Sequence, residues 1–230
     1  MIFTKKTSDK VLILGTIPTW KEAPLGDPSW EVWGMNEFWD WWGKYATRWF
    51  EIHQLEILYR EGWDRYKWLT RCEIPIYMAK HYKRIPSSIP YPIADVSKGF
   101  MRQFSSTFCY QLALAIYEGF KTIGIYGVDF SNGSLRERFV EWRGMLYWLG
   151  VASGKGIKLQ FPKTHGRELE HPYLYGLDYY NEVLDVQLQI MRAFYACSKI
   201  DGLGHLKLVW KMLNFLTEKK GMKRKKGKGK

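Results

Sequence analysis

The stretch from Phe104 to Phe130 constrains the fold of this 230-residue chain more than any other. It begins with hydroxyl side chains that can cap a helix, and apolar residues then recur at the spacing of a helix with one buried face. After a Glu-Gly pair, Thr122–Tyr126 (TIGIY) is short, apolar and rich in β-formers, as in a strand covered on both faces. Gly127 allows a turn, and Asp129 follows just beyond the strand. Ligands of open parallel sheets bind at this carboxyl edge.

Short apolar runs and amphipathic stretches alternate along most of the chain. This alternation predicts an α/β fold, a single Rossmann-like domain whose mainly parallel sheet carries helices on both faces. The segment Tyr82–Gly99 matches neither pattern and is predicted to be a long loop over the edge of the sheet. The stretch Leu55–Leu69 is amphipathic and predicted to be helical, and a helix is predicted over Arg136–Gly154. The predicted strands are Val11–Leu14, Glu31–Met35, Trp49–Ile52, Pro75–Met78, Thr122–Tyr126 and Ile157–Phe161.

Composition divides the chain into three predicted regions. Residues 1–177 form the Rossmann-like nucleotide-binding domain, residues 178–217 form C-terminal helices packed on it, and residues 218–230 form a disordered basic tail. From Thr217 to Lys230 there are eight Lys/Arg and one Glu, which supply +7 of the net charge of +12. We expect Lys219–Lys230 to bind DNA or another polyanion, with a purely solubilising terminus as the alternative.

Cysteine usage and hydropathy predict the compartment. The three cysteines are widely spaced and have no metal-ligand spacing, which favours a reducing interior. The first ten residues do not form a signal peptide, and no apolar run approaches the roughly 20 residues of a membrane helix. The chain is therefore predicted to be soluble and intracellular, with no membrane span.

Tryptophan is unusually frequent. Nine of the twelve tryptophans lie between Trp20 and Trp68. Most of them are expected to pack in the core or in a lid, and a minority could stack on a sugar or a base. Trp-rich surfaces and the C-terminal helices could also form the interface of a homo-oligomer.

Polar residues follow three of the predicted strands at the carboxyl edge. The first strand leads into Gly15-Thr16-Ile17-Pro18-Thr19, an arrangement found in nucleotide loops and also in ordinary strand-to-helix turns. Asn36 follows the second strand, and His53 follows the third. His53 could bind a ligand or simply end the strand, and Glu51 would need a partner if it were buried.

Four segments together carry a resemblance to known proteins. They are ILGTIPTW from Ile13, EVWGMNEFW from Glu31, the Phe104–Phe130 stretch and GIKLQFP from Gly156. As a set they resemble small phage-encoded proteins and, more distantly, the bacterial sialyltransferases of glycosyltransferase family 42. The resemblance implies a single Rossmann-like domain that uses a CMP-activated sugar without a metal. It also implies the cytoplasm of an infected bacterial host as the location.

The resemblance also implies roles for individual residues. Nucleotide-binding roles fall on residues that follow strands or precede the central helix, namely Gly15, Thr16, Thr19, Asn36, Ser105, Ser106 and Asp129. The family's catalytic His lies in an interval that here, from Phe130 to Gly156, contains no His. Asp129 and His165 are therefore the predicted catalytic residues. The secondary candidates are His53, Arg143 and Lys163.

The predicted function is that of a metal-independent, glycosyltransferase-like enzyme. No Asp-x-Asp pair is present to hold a divalent cation, and the nucleotide-sugar donor is the only co-substrate expected. The acceptor is predicted to be a modified base in phage DNA or a glycan. Two alternatives stay open: a non-catalytic protein that binds a nucleotide or nucleic acid, and a pyrophosphokinase-like enzyme on a similar fold.

Overall fold

The structure is a computed structural model that describes residues 4–37, 39–128 and 140–163. The chain divides into two units, Met1–Glu170 and His171–Lys230, and all described residues lie in the first unit. The predicted C-terminal helices and basic tail fall outside the described residues, so the three-region division remains a prediction.

Seven strands form one parallel sheet in the part of the chain that the structure describes. The spatial order is β5-β4-β3-β2-β1-β6-β7, which confirms the predicted α/β Rossmann-like fold. The chain proceeds from β1 to one side of the sheet and returns to β6 on the other side, so the topological switch point lies at β1. The strands are β1 (Lys10–Leu14), β2 (Trp30–Met35), β3 (Arg48–Phe50), β4 (Ile76–Met78), β5 (Ser88–Pro90), β6 (Thr122–Tyr126) and β7 (Lys158–Gln160).

Helices connect these strands and cover the sheet. None of the helices within the described ranges is long and apolar enough to cross a membrane. The central helix ends at Tyr117, and its C-cap Glu118 precedes Gly119, whose φ of +73° favours glycine. The described helices are a 3₁₀ turn (Pro18–Glu22), α1 (Trp39–Trp42), α2 (Leu55–Glu61), α3 (Trp63–Arg71), α4 (Ile93–Val96), α5 (Thr107–Tyr117) and α6 (Trp142–Gly154).

Alternating side chains of the strands build a core on each face of the sheet. In β1, Val11 and Ile13 point into one core, where α5 and α6 contribute residues such as Leu112 and Trp148. Leu12 and Leu14 point into the other core, with side chains from α2 and α3. Because both faces are covered, β1 is apolar throughout its buried length.

Two predicted segments between β3 and α5 have different outcomes. The stretch Leu55–Leu69 is helical, as predicted, but it forms two helices, because α2 ends where Gly62 N donates to Leu58 O over 3.0 Å and α3 begins at the next residue. The prediction of a loop over Tyr82–Gly99 is wrong, because this segment contains β5 and α4. Its Ser88 hydroxyl satisfies local backbone groups, accepting from Tyr82 N and donating to Ile85 O. Pro90 can be accommodated because β5 is the edge strand.

A buried ion cluster ties the amino ends of β2 and β3 to the end of α5. Arg48 lies 3.0 Å from Glu31, measured from Nε to Oε2, and its NH1 atom lies 2.7 Å from Glu118 Oε1. Trp33 Nε1 donates to Glu31 Oε2 over 3.0 Å. Two carboxylates thus share one guanidinium, and all three groups are almost inaccessible to water. Removal of Arg48 would leave two buried carboxylates uncompensated, whereas after removal of one carboxylate the other still pairs with Arg48.

The pKa of Glu118 lies above its usual value, because burial outweighs its hydrogen bonds with Arg48, which Glu31 also contacts. A raised folded-state pKa stabilises the fold below the unfolded-state pKa, and this contribution is lost as the pH rises through the folded-state pKa. Glu118→Gln, which cannot ionise, should therefore gain stability relative to the natural chain as the pH rises above about 4.3, the usual pKa of a glutamate. Urea unfolding at several pH values measures the difference.

Asp9→Asn serves as a control, for which the stability relative to the natural chain should change with pH in the opposite direction. The hydrogen bond from Lys6 lowers the pKa of Asp9, so its contribution is present above the unfolded-state pKa and is lost as the pH falls. Asp9→Asn should lose stability relative to the natural chain as the pH rises to about 4, the usual pKa of an aspartate, and should change little above it. If both variants change in the same direction, burial does not dominate at Glu118.

Candidate functional site

Gly15 and Gly127 bring the ends of β1 and β6 into direct contact at the carboxyl edge. Gly15 N donates to Tyr126 O over 2.8 Å, and Ile17 N donates to Gly127 O over 2.9 Å. A β-carbon on Gly15 would lie 2.2 Å from Gly127 O, and one on Gly127 would lie 2.4 Å from Gly15 O. Gly127 also has a φ of +73°. Both positions therefore require glycine.

The two threonines of the loop after β1 have different environments. The Thr19 hydroxyl is buried and accepts a hydrogen bond from Gly127 N over 3.1 Å. It therefore holds the turn after β6 in place. Thr16 is exposed, so its hydroxyl is the one in this loop that a ligand can reach. Beside this turn, burial and then the Glu22 carboxylate raise the pKa of Tyr126, which keeps that phenol neutral.

Asn36 occupies a strained position just after β2. Its φ of +48° is left-handed, which is unfavourable by about 1–2 kcal/mol for most residues and less so for Asn. Its Nδ2 donates to Thr107 Oγ1 over 3.4 Å, but its buried Oδ1 has no hydrogen-bond partner among the described residues. Exchanging the two amide atoms would leave the nitrogen unpartnered instead. A strained residue with an unsatisfied polar atom is typical of a binding site.

The first turn of α5 lies over the ends of β1 and β2. Thr107 contacts Asn36, and the ring of Phe108 lies 3.0 Å from where a β-carbon on Gly15 would be. The preceding residue, Ser106, is the N-cap and makes no side-chain hydrogen bond to the helix backbone. The amides of this turn consequently have no side-chain cap. Thr107 and Phe108 thus join the first turn of α5, which directly follows Ser106, to Asn36 and Gly15.

Ser105 has a structural contact that separates it from its neighbour. Its hydroxyl donates to Glu141 O over 3.1 Å, immediately before α6. A β-carbon on Gly144 would lie 2.3 Å from Ser105 Oγ, so α6 packs closely here. Of the two predicted serines, only Ser106 is positioned as the cap of α5.

A second polar group lies after β3, next to Asn36. Asn36 N donates to Phe50 O over 3.2 Å, which places Glu51 beside the end of β2. The fully buried Glu51 contacts His53 Nδ1 through Oε1 at 2.7 Å and Arg65 Nε through Oε2 at 3.2 Å. The expectation that a buried Glu51 needs a partner is therefore confirmed. The His53 side chain is 43% exposed, so its ring reaches the surface of this edge.

The remaining predicted residues are placed as follows. Arg143 is exposed in the first turn of α6. Lys163 is exposed after β7, and its backbone N donates to Glu22 Oε2 over 2.8 Å. Asp129 and His165 lie outside the described residues, so their catalytic roles stay predictions. In the described part of the chain, no group of three or more His, Cys, Asp or Glu residues could hold a metal ion.

Sequence patterns did not identify Arg65 or Thr107 as members of this edge. Arg65 belongs to an amphipathic stretch, in which an arginine ordinarily faces solvent. Its burial was signalled only indirectly, by the need of Glu51 for a partner. Thr107 was recognised as a capping hydroxyl, but its contact with Asn36 joins residues 71 positions apart.

Three solved structures illustrate what the fold resembles. The monofunctional α-2,3-sialyltransferase Cst-I from Campylobacter jejuni is 12% identical, with a TM-score of 0.49 over 84% of this chain and 98% of that one. CstII from the same organism, in complex with cytidine-5'-monophosphate, is 17% identical, with a TM-score of 0.43 over 66% and 79%. CST-II in complex with a trisaccharide acceptor and CMP is 16% identical, with a TM-score of 0.45 over 72% and 89%.

Sequence comparisons add no relative. No protein-family model matches the chain, and no curated protein matches it significantly. At the identities and TM-scores of the three structures, the likeness assigns no activity to this chain.

Gly15→Ala should destabilise the fold by about 1–3 kcal/mol, because its β-carbon would overlap the backbone of Gly127. Gly150→Ala is the matched control, since a β-carbon in the middle of α6 meets no atom within 4 Å. That control should stabilise the chain by about 0.5–1 kcal/mol. Thermal or urea unfolding measures both, and similar stabilities for the two variants would refute the close contact of β1 with β6.

Proposed function

We propose that this chain binds a nucleotide-activated sugar at the carboxyl edge of β1, β2 and β6 and transfers the sugar without a metal. The phosphates lie at the N-terminus of α5, where uncapped amides and the helix dipole favour negative charge. Ser106 donates to a phosphate oxygen, and the exposed Thr16 hydroxyl does the same from the loop after β1.

The observation that carries this proposal is the unsatisfied amide of Asn36 beside the uncapped helix. Leaving a buried polar atom without a partner is unfavourable by about 1–3 kcal/mol. Oδ1 is itself enclosed, so the half-buried amide would have to rotate for a ribose hydroxyl to donate to it and remove this deficit. The left-handed backbone of Asn36 keeps the side chain directed at Thr107, in the first turn of α5.

Glycosyl transfer also requires positive charge on the leaving phosphate and a base for the acceptor hydroxyl. Arg143, exposed next to the contact between α6 and Ser105, is the proposed source of positive charge, together with Lys163. Asp129 and His165 are the proposed bases, on the resemblance and on their positions after β6 and β7 in the sequence. The proposal includes two classes of acceptor, a glycan and a modified base in DNA.

A thermal-shift screen with CMP, UMP, UDP, GDP and their sugars tests binding. One nucleotide should raise the melting temperature by about 5 °C or more at saturating concentration. Asn36→Gly keeps the left-handed backbone accessible but removes the amide, and should weaken this nucleotide's binding about tenfold.

Ser106→Ala separates binding from stability in the same screen. An N-cap that bonds to its helix contributes about 1 kcal/mol, but the Ser106 hydroxyl makes no such bond. The variant should therefore unfold at nearly the natural temperature and still lose most of the nucleotide-induced shift. Ser153→Ala, at an exposed position of α6, is the control and should keep the full shift. An unchanged shift in both Asn36→Gly and Ser106→Ala would refute the site.

Nucleotide release from the donor that binds tests catalysis. Release should continue in the presence of EDTA and should fall about 10²–10⁴-fold in Asp129→Asn or His165→Asn, whichever residue is the base. Tight binding without release, with glycans and DNA supplied as acceptors, would instead identify a non-catalytic binding protein. Magnesium-dependent consumption of ATP would identify a pyrophosphokinase-like enzyme.

A further inference from the structure

A cavity of about 490 Å³ opens next to the proposed nucleotide site. Glu37, which directly follows Asn36, contributes to its wall, and so does Arg65, which contacts Glu51 after β3. Its volume lies in the range of about 300–1,000 Å³ that is typical of small-molecule sites. None of its lining residues was assigned to the nucleotide.

Three tryptophans form the apolar part of the lining. Trp39 is half-buried, whereas Trp41 is 52% exposed and Trp63 is 51% exposed. Indole rings so accessible to water expose apolar surface that a soluble fold ordinarily covers. The face of a sugar ring presents C–H groups that can cover this surface while its hydroxyls point sideways.

The polar part of the lining contains one buried cation. Arg65 is 8% exposed, yet its Nε atom makes no hydrogen bond with the described residues. It contacts Glu51 at 3.2 Å and Glu37 at 3.6 Å in ion pairs. Gly62 leaves room for it, since a β-carbon there would lie 3.1 Å from two guanidinium nitrogens. Because Nε is enclosed, a bound hydroxyl would accept instead from the terminal guanidinium nitrogens, one of which lies 3.6 Å from Glu37 of the lining.

The charge of the lining selects against anions. Glu37, Asp40 and Asp64 face the cavity together with Arg65, a balance of −2. The ion-pair partners of these residues do not alter this balance. The positive charge of Lys67, 3.3 Å from Asp64, is offset by the negative charge of Glu51, 3.2 Å from Arg65. Carboxylates accept hydrogen bonds and the guanidinium donates them, which matches hydroxyl groups that do both. A phosphate or carboxylate on the ligand would be repelled.

We propose that this cavity binds a saccharide residue that carries no negative charge. If the proposed function is correct, this sugar is the acceptor, held beside the nucleotide by Trp41, Trp63 and the carboxylates. Of the two acceptor classes, the cavity therefore favours a glycan over DNA, because a DNA strand would bring phosphates to an acidic wall.

Saturation-transfer NMR and calorimetry on the full chain test binding directly, without any nucleotide. The probes are N-acetylglucosamine oligomers and lactose as neutral sugars, glucosamine oligomers as cationic sugars, sialyllactose as an anionic sugar, and single-stranded oligothymidylate. We expect a neutral or cationic sugar to bind at least about tenfold more tightly than sialyllactose. Trp41→Ala and Trp63→Ala should each weaken this binding about tenfold, as for aromatic anchors of other sites.

Charge variants and an aromatic control complete the design. The double variant Glu37→Gln with Asp64→Asn should reduce the ratio of the affinity for a neutral sugar to the affinity for sialyllactose. Glu73→Gln, which changes an exposed carboxylate outside the cavity, should leave this ratio unchanged. Tyr117→Ala, an exposed aromatic residue of α5 that does not line it either, should bind sugar as the natural chain does. Melting temperatures of all variants identify any that unfold. If a tryptophan variant unfolds, the charge variants test the proposal in its place.

Several outcomes would overturn the proposal. These are the absence of any sugar binding at millimolar concentration, tighter binding of sialyllactose, and oligothymidylate binding that is lost in Trp41→Ala. Because no nucleotide is present, sugar binding can persist if the nucleotide site proves wrong. Conversely, a nucleotide-induced shift that depends on Asn36 can persist if the cavity binds no sugar.

Discussion

The close approach of Gly15 to Gly127 is the contact on which the carboxyl edge depends. β1 lies at the switch point of the sheet, paired with β2 on one side and with β6 on the other. Because neither Gly15 nor Gly127 has a side chain, the ends of β1 and β6 lie in direct contact, and the ring of Phe108 packs over Gly15. The first turn of α5 can then reach Asn36. One residue pair without β-carbons thus decides whether the candidate residues share a site.

Buried polar groups are paired more completely at the amino end of the sheet than at its carboxyl end. At the amino end, Arg48 is matched by Glu31 and Glu118, so burial of charge there serves the fold. At the carboxyl end, Asn36 and Arg65 keep donors or acceptors unsatisfied. Trp49 and Gln111 also have unpartnered atoms, but both side chains are fully enclosed. The unpaired atoms of Asn36 and Arg65 are enclosed too, and what distinguishes these two residues is that Asn36 is only half-buried and Arg65 borders a cavity.

The sequence predicted those features that depend on local patterns. The bounds of β6 agree with prediction because a strand covered on both faces is a continuous apolar run between turn residues. The grouping of Gly15, Asn36 and Ser106 was predictable because parallel strands end at the same edge of a sheet. β5 was missed because its three residues become a strand only by pairing with β4. Similarly, no local pattern shows that Thr19 and Ser105 use their hydroxyls to hold backbone groups.

The net charge of the chain is a poor guide to the proposed acceptor, because the charge is unevenly distributed. The chain carries +12, but +7 of it comes from the last fourteen residues. The cavity beside Asn36 has the opposite sign, since carboxylates outnumber cations in its lining. Basic residues in a tail attract polyanions weakly and without regard to sequence. Selection of an acceptor instead depends on groups within a few ångströms of the reacting hydroxyl, where Coulomb interactions are strong and screening by salt is weak. The proposed binding of DNA by the tail is therefore compatible with a cavity that disfavours phosphate, and under the proposed function the cavity is what would select the acceptor hydroxyl.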